Sequence, residues 1–361
     1  MALFDSLGFS WNRGSIPREL PRASVERAAF RFARMLPEYV WDAGVLEGNP
    51  FTFPEVKTLL DGVTVGGRKL SDQEQILNLA QSSKYLLELV RQQEFKLDKA
   101  TFCALHAHVA RNEALEWGHF RGEGAETAYT PDVALGERGR YTPPPTEPGA
   151  KQLNALFSKG LAALQENVSN PFERATAFFL FGSLQQFFFD GNKRTSRFIM
   201  NGALMTAGID AISIPAMRAV EFNSKMVEFY TTRDATRMMG LVLECHPESS
   251  RIRELNPALC RIRDASAVEH YRFDDPIPPQ PDRPAASARR EPNIPAASAE
   301  RRNEALKARL SAEELRRRAV QNWRKLYGPD ADASDAADTT GERKEQDAPR
   351  RGRGTDFDPS G

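Results

Sequence analysis

The chain has 361 residues, enough for a full hydrophobic core and one or two domains. Its 49 basic residues balance 49 acidic ones, which argues against general electrostatic attachment to nucleic acid or to an acidic membrane surface. No run reaches the roughly 18 to 20 apolar residues that a membrane helix needs, and the start, MALFDSLGFSWNRGS, is too interrupted by polar residues for a signal peptide. Cys103, Cys245 and Cys260 have neither paired nor metal-site spacing, so a reducing, cytoplasmic location is expected.

Residues 1 to about 22, broken by Gly14, Pro17 and Pro21, read as an extended arm. Ser24 is placed to cap a helix through VERAAFRFARMLPEYV. DAGVLEGNPF, residues 42–51, is a helix-to-turn transition. Thr52 then opens a second helix, with Pro54 in its first turn and Glu55 three residues on, the pattern of a capping box. Beyond a glycine-rich loop at 62–67, Ser71–Val90 carries Ile76, Leu79, Leu86 and Leu89 as the apolar positions of a long helix, and Leu97–Val109 is another candidate. Residues 133–145 read as a small hairpin running into a proline-rich loop that includes Tyr141, Thr142 and Pro143, with prolines tolerated at an exposed edge. Helices are expected over Ala150–Val168, over Pro171–Phe188 and over Glu221–Cys245. The second is apolar on nearly every face and therefore central; in the third, Phe222, Met226, Phe229, Tyr230, Met238 and Met239 are core packing.

From about Ser250 the composition changes. The expected organisation is an N-terminal helical region (1–110), a core (111–249), a proline-rich linker (250–299), a basic amphipathic helical segment (300–328) and a tail of disordered composition (329–361). Long apolar helices and scarce alternating segments make the fold mostly α.

The chemistry concentrates in Phe188-Phe189-Asp190-Gly191-Asn192-Lys193-Arg194-Thr195-Ser196-Arg197. An apolar helix runs into the turn formers Asp190, Gly191 and Asn192. A second helix then opens with Arg194 and Arg197 spaced i,i+3, on one side of its first turns. Unpaired backbone N–H groups at a helix start favour an anion. Two arginines and a carboxylate able to hold a divalent cation complete a cradle for a di- or triphosphate.

This stretch resembles the signature of the Fic (Fido) family, His-x-Phe-x-Asp/Glu-Gly-Asn-Gly/Lys-Arg-x-x-Arg. Phe188, Asp190, Gly191, Asn192, Lys193, Arg194 and Arg197 match it. The histidine position falls on Gln186, and Lys193 stands where the commonest form has glycine. Upstream, Glu47 and Gly48 resemble the family's N-terminal inhibitory element, Ser/Thr-x-x-x-Glu-Gly/Asn, with Ala43 at the Ser/Thr position. The resemblance spans about residues 35–245. It implies a Fic helical bundle with a small hairpin flap, at Tyr141, Thr142 and Pro143, that aligns an extended piece of a target protein by strand addition. It implies transfer of AMP from ATP to a Ser, Thr or Tyr hydroxyl of that target. Asp190 would hold Mg²⁺, and Gly191, Asn192, Lys193, Arg194 and Arg197 would hold the phosphates, with Phe188 an inward anchor of the loop. Glu47 would pair with Arg197 and keep the nucleotide from seating productively, since a carboxylate fills the guanidinium fork a phosphate would use.

In the family, the signature histidine takes the proton of the attacking hydroxyl. Gln186 has no titratable acceptor near neutral pH, and losing a general base costs about 10²- to 10⁴-fold. None of His106, His108, His119, His246 and His270 lies in the signature; His119 is the nearest to family elements. Three readings stay open: a Fic domain with a retained phosphate site and weak, altered or absent transfer; a non-catalytic nucleotide- or protein-binding module regulated through Glu47; and a phosphotransferase resembling the Doc toxins. Doc toxins share a lysine at the position of Lys193 but carry alanine at that of Gly191. The expected partner is a protein with a hydroxyl side chain. A homodimer and a docking partner for 300–328 are left open, and no helix-turn-helix pair or zinc spacing supports nucleic acid.

Overall fold

The computed structural model describes residues 3–256, and the expectations for 257–361 lie outside the described residues. The first residues are not an open arm. A short helix, α1 (Leu3–Leu7), and a 3-10 turn (Arg13–Ser15) place Leu7, Phe9 and Trp11 in the core. Trp11 Nε1 and the Arg13 guanidinium both donate to the buried carboxylate of Glu173. Gly14 and the prolines do forbid a long helix here, but aromatic side chains dock the segment all the same.

Ser24 caps α2 (Val25–Arg34), its side chain accepting from the Arg27 N–H. The chain leaves helical geometry at Met35 and resumes as α3 (Leu36–Leu46), so the one expected helix is two. Pro37 explains the break: it lacks an N–H and is tolerated in a first turn but not in a helix interior. Glu47 ends α3, and Gly48 follows in the left-handed region at φ 79°. Thr52 and Glu55 form the capping box of α4 (Phe53–Leu60). Then come α5 (Leu70–Arg91) and α6 (Lys99–Val109), the latter capped by Asp98. The hairpin is small: β1 (Val133–Ala134) pairs antiparallel with β2 (Arg140–Tyr141), Val133 opposite Tyr141.

The remaining helices are α7 (Lys151–Asn167), α8 (Pro171–Gln185), α9 (Asn192–Thr206), α10 (Ala219–Thr232), α11 (Thr236–Glu244) and α12 (Ser249–Leu255). The helix expected through Phe188 stops at Gln185. The one expected over Glu221–Cys245 is interrupted by Arg233, at φ 61°. The interruption has a partner: Ser10 N donates to Arg233 O and Ala235 N donates to Ser10 O, so the N-terminal segment docks where α10 gives way to α11. No helix among the described residues is long and apolar enough to cross a membrane.

Every residue of α8 from Ala175 to Gln185 is buried, and α9 packs along it while α5 and α6 cover α9. Gly182 sets the spacing of the central pair. A methyl group there would stand 2.2 Å from Ser196 Oγ and 3.3 Å from the Phe102 ring. Phe102, from α6, meets Phe178 and Phe188 edge-on at centroid distances of 5.4 and 4.8 Å, tying α6 to the body of α8 and to the loop between α8 and α9. Gly182→Ala is therefore expected to push α8 from α9, costing about 1–3 kcal/mol as overpacking does. A lowered thermal midpoint would show this; an unchanged midpoint would mean the helices have room to spare.

Candidate phosphate-binding site

The site begins where α8 ends. Gln186 caps the helix in the left-handed region, at φ 50° and ψ 59°, and turns the chain out of it. Asn192, the first residue of α9, reaches back across the loop. Its Oδ1 accepts from Phe188 N at 2.9 Å, and its Nδ2 donates to Phe188 O at 2.8 Å and to Gln186 Oε1 at 3.0 Å. The side chain of Asn192 thus staples the loop, leaving its backbone amide for a ligand. Gly191, at φ 71°, leads into α9, and a side chain there would press on Ala110 and His106.

His106 is a second brace. Its ring stacks on Phe188 with centroids 3.7 Å apart. Gly118 N donates to His106 Nδ1 at 3.1 Å, so the proton sits on Nε2, which donates to Asp190 O at 2.9 Å. Burial holds this imidazole down at about 3, and it is neutral.

Gln186 is equally committed. Its Nε2 donates to Ser183 O at 2.6 Å and lies 3.4 Å from the Tyr230 hydroxyl, and its backbone carbonyl accepts from Arg121 Nε at 2.6 Å. Tyr230 donates to Ser183 O, and burial pushes its phenol above the ordinary range, so it is no base at neutral pH. His119, the histidine nearest in sequence to the family elements, is engaged elsewhere, 3.2 Å from Glu116 Oε2.

The backbone N–H groups of Asn192, Lys193 and Arg194 precede the first intrahelical bond, from Thr195 N to Gly191 O, and are the anion-facing end of α9. Around them the charges close on one another. Arg194 Nη1 lies 2.6 Å from Glu113 Oε2, and Nη2 lies 3.6 Å from Asp190 Oδ1. Arg197 Nη2 lies 3.2 Å from Glu47 Oε1, and Lys193 Nζ 3.3 Å from Glu47 Oε2. The arginine side chains are only 4% and 10% exposed. The Asp190 carboxylate is 61% exposed, with one oxygen accepting from Gly191 N.

Burial alone would raise the Glu47 carboxyl, but Lys193, Arg197 and Arg194 outweigh it and hold the group at about 2. For Arg197 burial dominates and pulls the guanidinium down, with Glu47 acting against it. For Arg194 burial acts the same way, but Asp190, Glu113 and Glu47 together win and raise it. Behind Arg197 lies a cavity of about 30 Å³ lined by Ala43, Leu46, Ser83, Arg194, Arg197 and Asn201 among others. That is room for about two waters. Arg197 Nη1 is buried with no hydrogen-bond partner.

The structure therefore gathers Glu47, Gly48, Asp190, Gly191, Asn192, Lys193, Arg194 and Arg197 at one end of α9. The expected flap reaches the same region through the Tyr141 ring, 5.2 Å from that of Tyr230, and through Arg121, whose guanidinium donates both to Pro144 O and to Gln186 O. It is not an open proline loop, because Pro143 is buried and Tyr141 half-buried; Thr142 is exposed, donating to Asp132. Glu113 and His106 are the residues that sequence reasoning did not place here, and nothing in RNEALEW or ALHAHV marks them locally. One exposed carboxylate suits Mg²⁺, which is commonly held by one or two carboxylates plus substrate phosphates. Among the described residues no three metal-ligating side chains cluster.

Residues 96–204 match the Fic/DOC family model. That stretch is similar to a Fic/DOC domain. A curated relative, the protein adenylyltransferase Fic of Nematostella vectensis, is 24% identical over 215 residues, 57% of this chain and 44% of that protein. The Drosophila grimshawi protein of the same name is 27% identical over 189 residues, 51% of this chain and 36% of its own. The chain thus spans less than half the length of these relatives. Among solved structures, a Fic family protein from Desulfovibrio desulfuricans G20 aligns with a TM-score of 0.47 at 15% identity, covering 72% of this chain and 79% of that one. A Fic domain containing signaling protein from Bacteroides thetaiotaomicron aligns at 0.48 and 16%, covering 74% of this chain and 98% of that one.

The electrostatics of this site set a pH signature. The folded-state value of Glu47 lies below its ordinary 4.5, so its ion pairs stabilise fully above that pH and are lost as pH falls toward about 2. The stability difference between wild type and Glu47→Gln, from urea denaturation, is expected to be flat above about pH 5 and to shrink below it. A difference independent of pH across that interval would show that Glu47 is not paired in solution.

Proposed function

We propose that the chain is a nucleotide-binding Fic protein of the AMP-transferring type, whose phosphate site is retained and whose general base is absent. The observation that carries this reading is the start of α9, where three backbone N–H groups ahead of the first intrahelical bond, Lys193, Arg194 and Arg197 converge beside an exposed carboxylate. Phosphate attack needs charge stabilisation and alignment more than covalent assistance, and these residue types supply it. Asp190 would hold a Mg²⁺ ion, which when bound offsets the charge of the phosphates. Arg194 and Arg197 would neutralise phosphate oxygens, with the backbone amides of 192–194 orienting them. Glu47 occupies Lys193 and Arg197 in the meantime and acts as an internal competitor.

The missing step is proton removal. The Gln186 amide gives to Ser183 O and takes from Asn192 Nδ2, so it orients the loop and has no basic atom to offer a hydroxyl. That locked amide favours a second reading, a nucleotide- or protein-binding module without transfer. The target is proposed to be a protein hydroxyl presented along the β1–β2 hairpin, with Tyr141, Thr142 and Pro143 nearest the approach. A Doc-like phosphoryl transfer is distinguished by the mass added to the target.

Labelled ATP added to a lysate separates these readings. Gln186→His combined with Glu47→Gly is expected to raise label transfer by about 10²- to 10⁴-fold, and Gln186→His alone by less, because Glu47 remains in place. Strong labelling by the unaltered chain would sink the reading of a lost base. Bound ATP without transfer in any combination would favour the binding module. Asp190→Asn is expected to abolish the Mg²⁺-dependence of ATP affinity, measured by calorimetry with and without the ion; unchanged dependence would place the metal elsewhere.

A further inference from the structure

Besides Asp190 of the loop itself, the carboxylates of Glu47 and Glu113 meet the cations of α9, and these two are built differently. Glu47 follows the end of α3 and is held by Lys193 and Arg197, the groups it would yield to a phosphate. Glu113, in the loop after α6, is held from the opposite side as well. Its Oε2 accepts from Gln75 Nε2 at 3.0 Å in addition to Arg194 Nη1 at 2.6 Å, and its Oε1 accepts from Asn78 Nδ2 at 3.1 Å. Asn78 Nδ2 also donates to Arg111 O at 2.7 Å, fastening the loop that carries Glu113. A carboxylate with two donors on α5 is a fixture. It cannot swing away as Glu47 can without leaving polar groups unpaired.

We propose that Glu113 is the positioning residue for Arg194: it fixes one edge of the guanidinium from α5 and so aims the remaining N–H groups at the phosphate site. This rests on the nucleotide reading given above. A guanidinium has five donors in a rigid planar fork. Glu113 takes one nitrogen at 2.6 Å, and Asp190, at 3.6 Å, engages the other only loosely. The side chain is ordered before ligand arrives, and less freedom is lost on binding. Glu47 and Glu113 consequently act in opposite senses on the same ligand, although both are ion pairs to signature cations. The same Gln75 side chain accepts at Oε1 from Asn49 Nδ2 at 3.0 Å, so the bracket that holds Glu113 also holds the turn just beyond Glu47 and Gly48.

The test uses the full chain carrying Glu47→Gly, with Mg–ATP titrated by calorimetry and the arginine side-chain NMR signals followed in the absence of ligand, Arg194 being assigned by Arg194→Lys. Glu113→Ala is expected to weaken Mg–ATP by about tenfold, the loss of one charge-assisted hydrogen bond, and to remove the slowly rotating guanidinium signals of Arg194. Glu113→Gln, which keeps an acceptor in the same place, is expected to recover most of both, which a loss of general stability would not do. Tighter ATP binding by Glu113→Ala would overturn the proposal and make Glu113 a second competitor like Glu47. Arg194 signals unchanged by Glu113→Ala would overturn it as well. If the Glu47→Gly parent bound no ATP, the nucleotide reading would fall, while loss of Arg194 order in Glu113→Ala would still establish the positioning role.

Discussion

Lys193, Arg194 and Arg197 crowd the first two turns of a helix buried on most of its surface, and so much like charge in so little water has to be balanced. The packing around α9 serves that constraint. α3 ends where it does so that Glu47 can reach two of the cations, and the loop after α6 delivers Glu113 to the third. The neutrality is local and exchangeable on one side only. On the proposed reading, a ligand bearing several negative charges would replace Glu47, and the balance would pass from the protein to the ligand.

The loop between α8 and α9 is stiff for separate reasons. The Asn192 side chain bonds both backbone groups of Phe188, and His106 holds the Asp190 carbonyl while its ring lies flat on Phe188. These contacts are indifferent to whether residue 186 is an acid–base group. The shape of the loop is thus separable from the chemistry of residue 186, because the loop is braced from α6 and α9, and Gln186 joins the network as one more hydrogen-bonding member.

What was legible in the sequence was what is local. Ser24 and the Thr52–Glu55 pair cap their helices as their spacing dictates, and Gly191 supplies the left-handed step that Asp-Gly-Asn announces. The Glu47–Arg197 contact, 150 residues apart in the chain, came within reach only through resemblance to a family. Glu113 to Arg194 and His106 to Asp190 span 81 and 84 residues and carry no local pattern, so only the folded chain reveals them. The N-terminal segment and the break at Arg233 went unread for the same reason, since each makes sense as the docking site of the other. The Met35 break was written in Pro37, and periodicity alone passed over it.

The left-handed turn at Gln186 has a consequence for heredity. Few residues with a Cβ occupy that region comfortably, and histidine is among those enriched there. Glutamine and histidine codons differ only at the third base. The backbone conformation at the end of α8 is therefore one that histidine also adopts, one nucleotide away from the present side chain. If the proposed reading holds, a chain of this sequence is one base change from a version that carries an imidazole beside the signature cations, with the Glu47 ion pairs still in place.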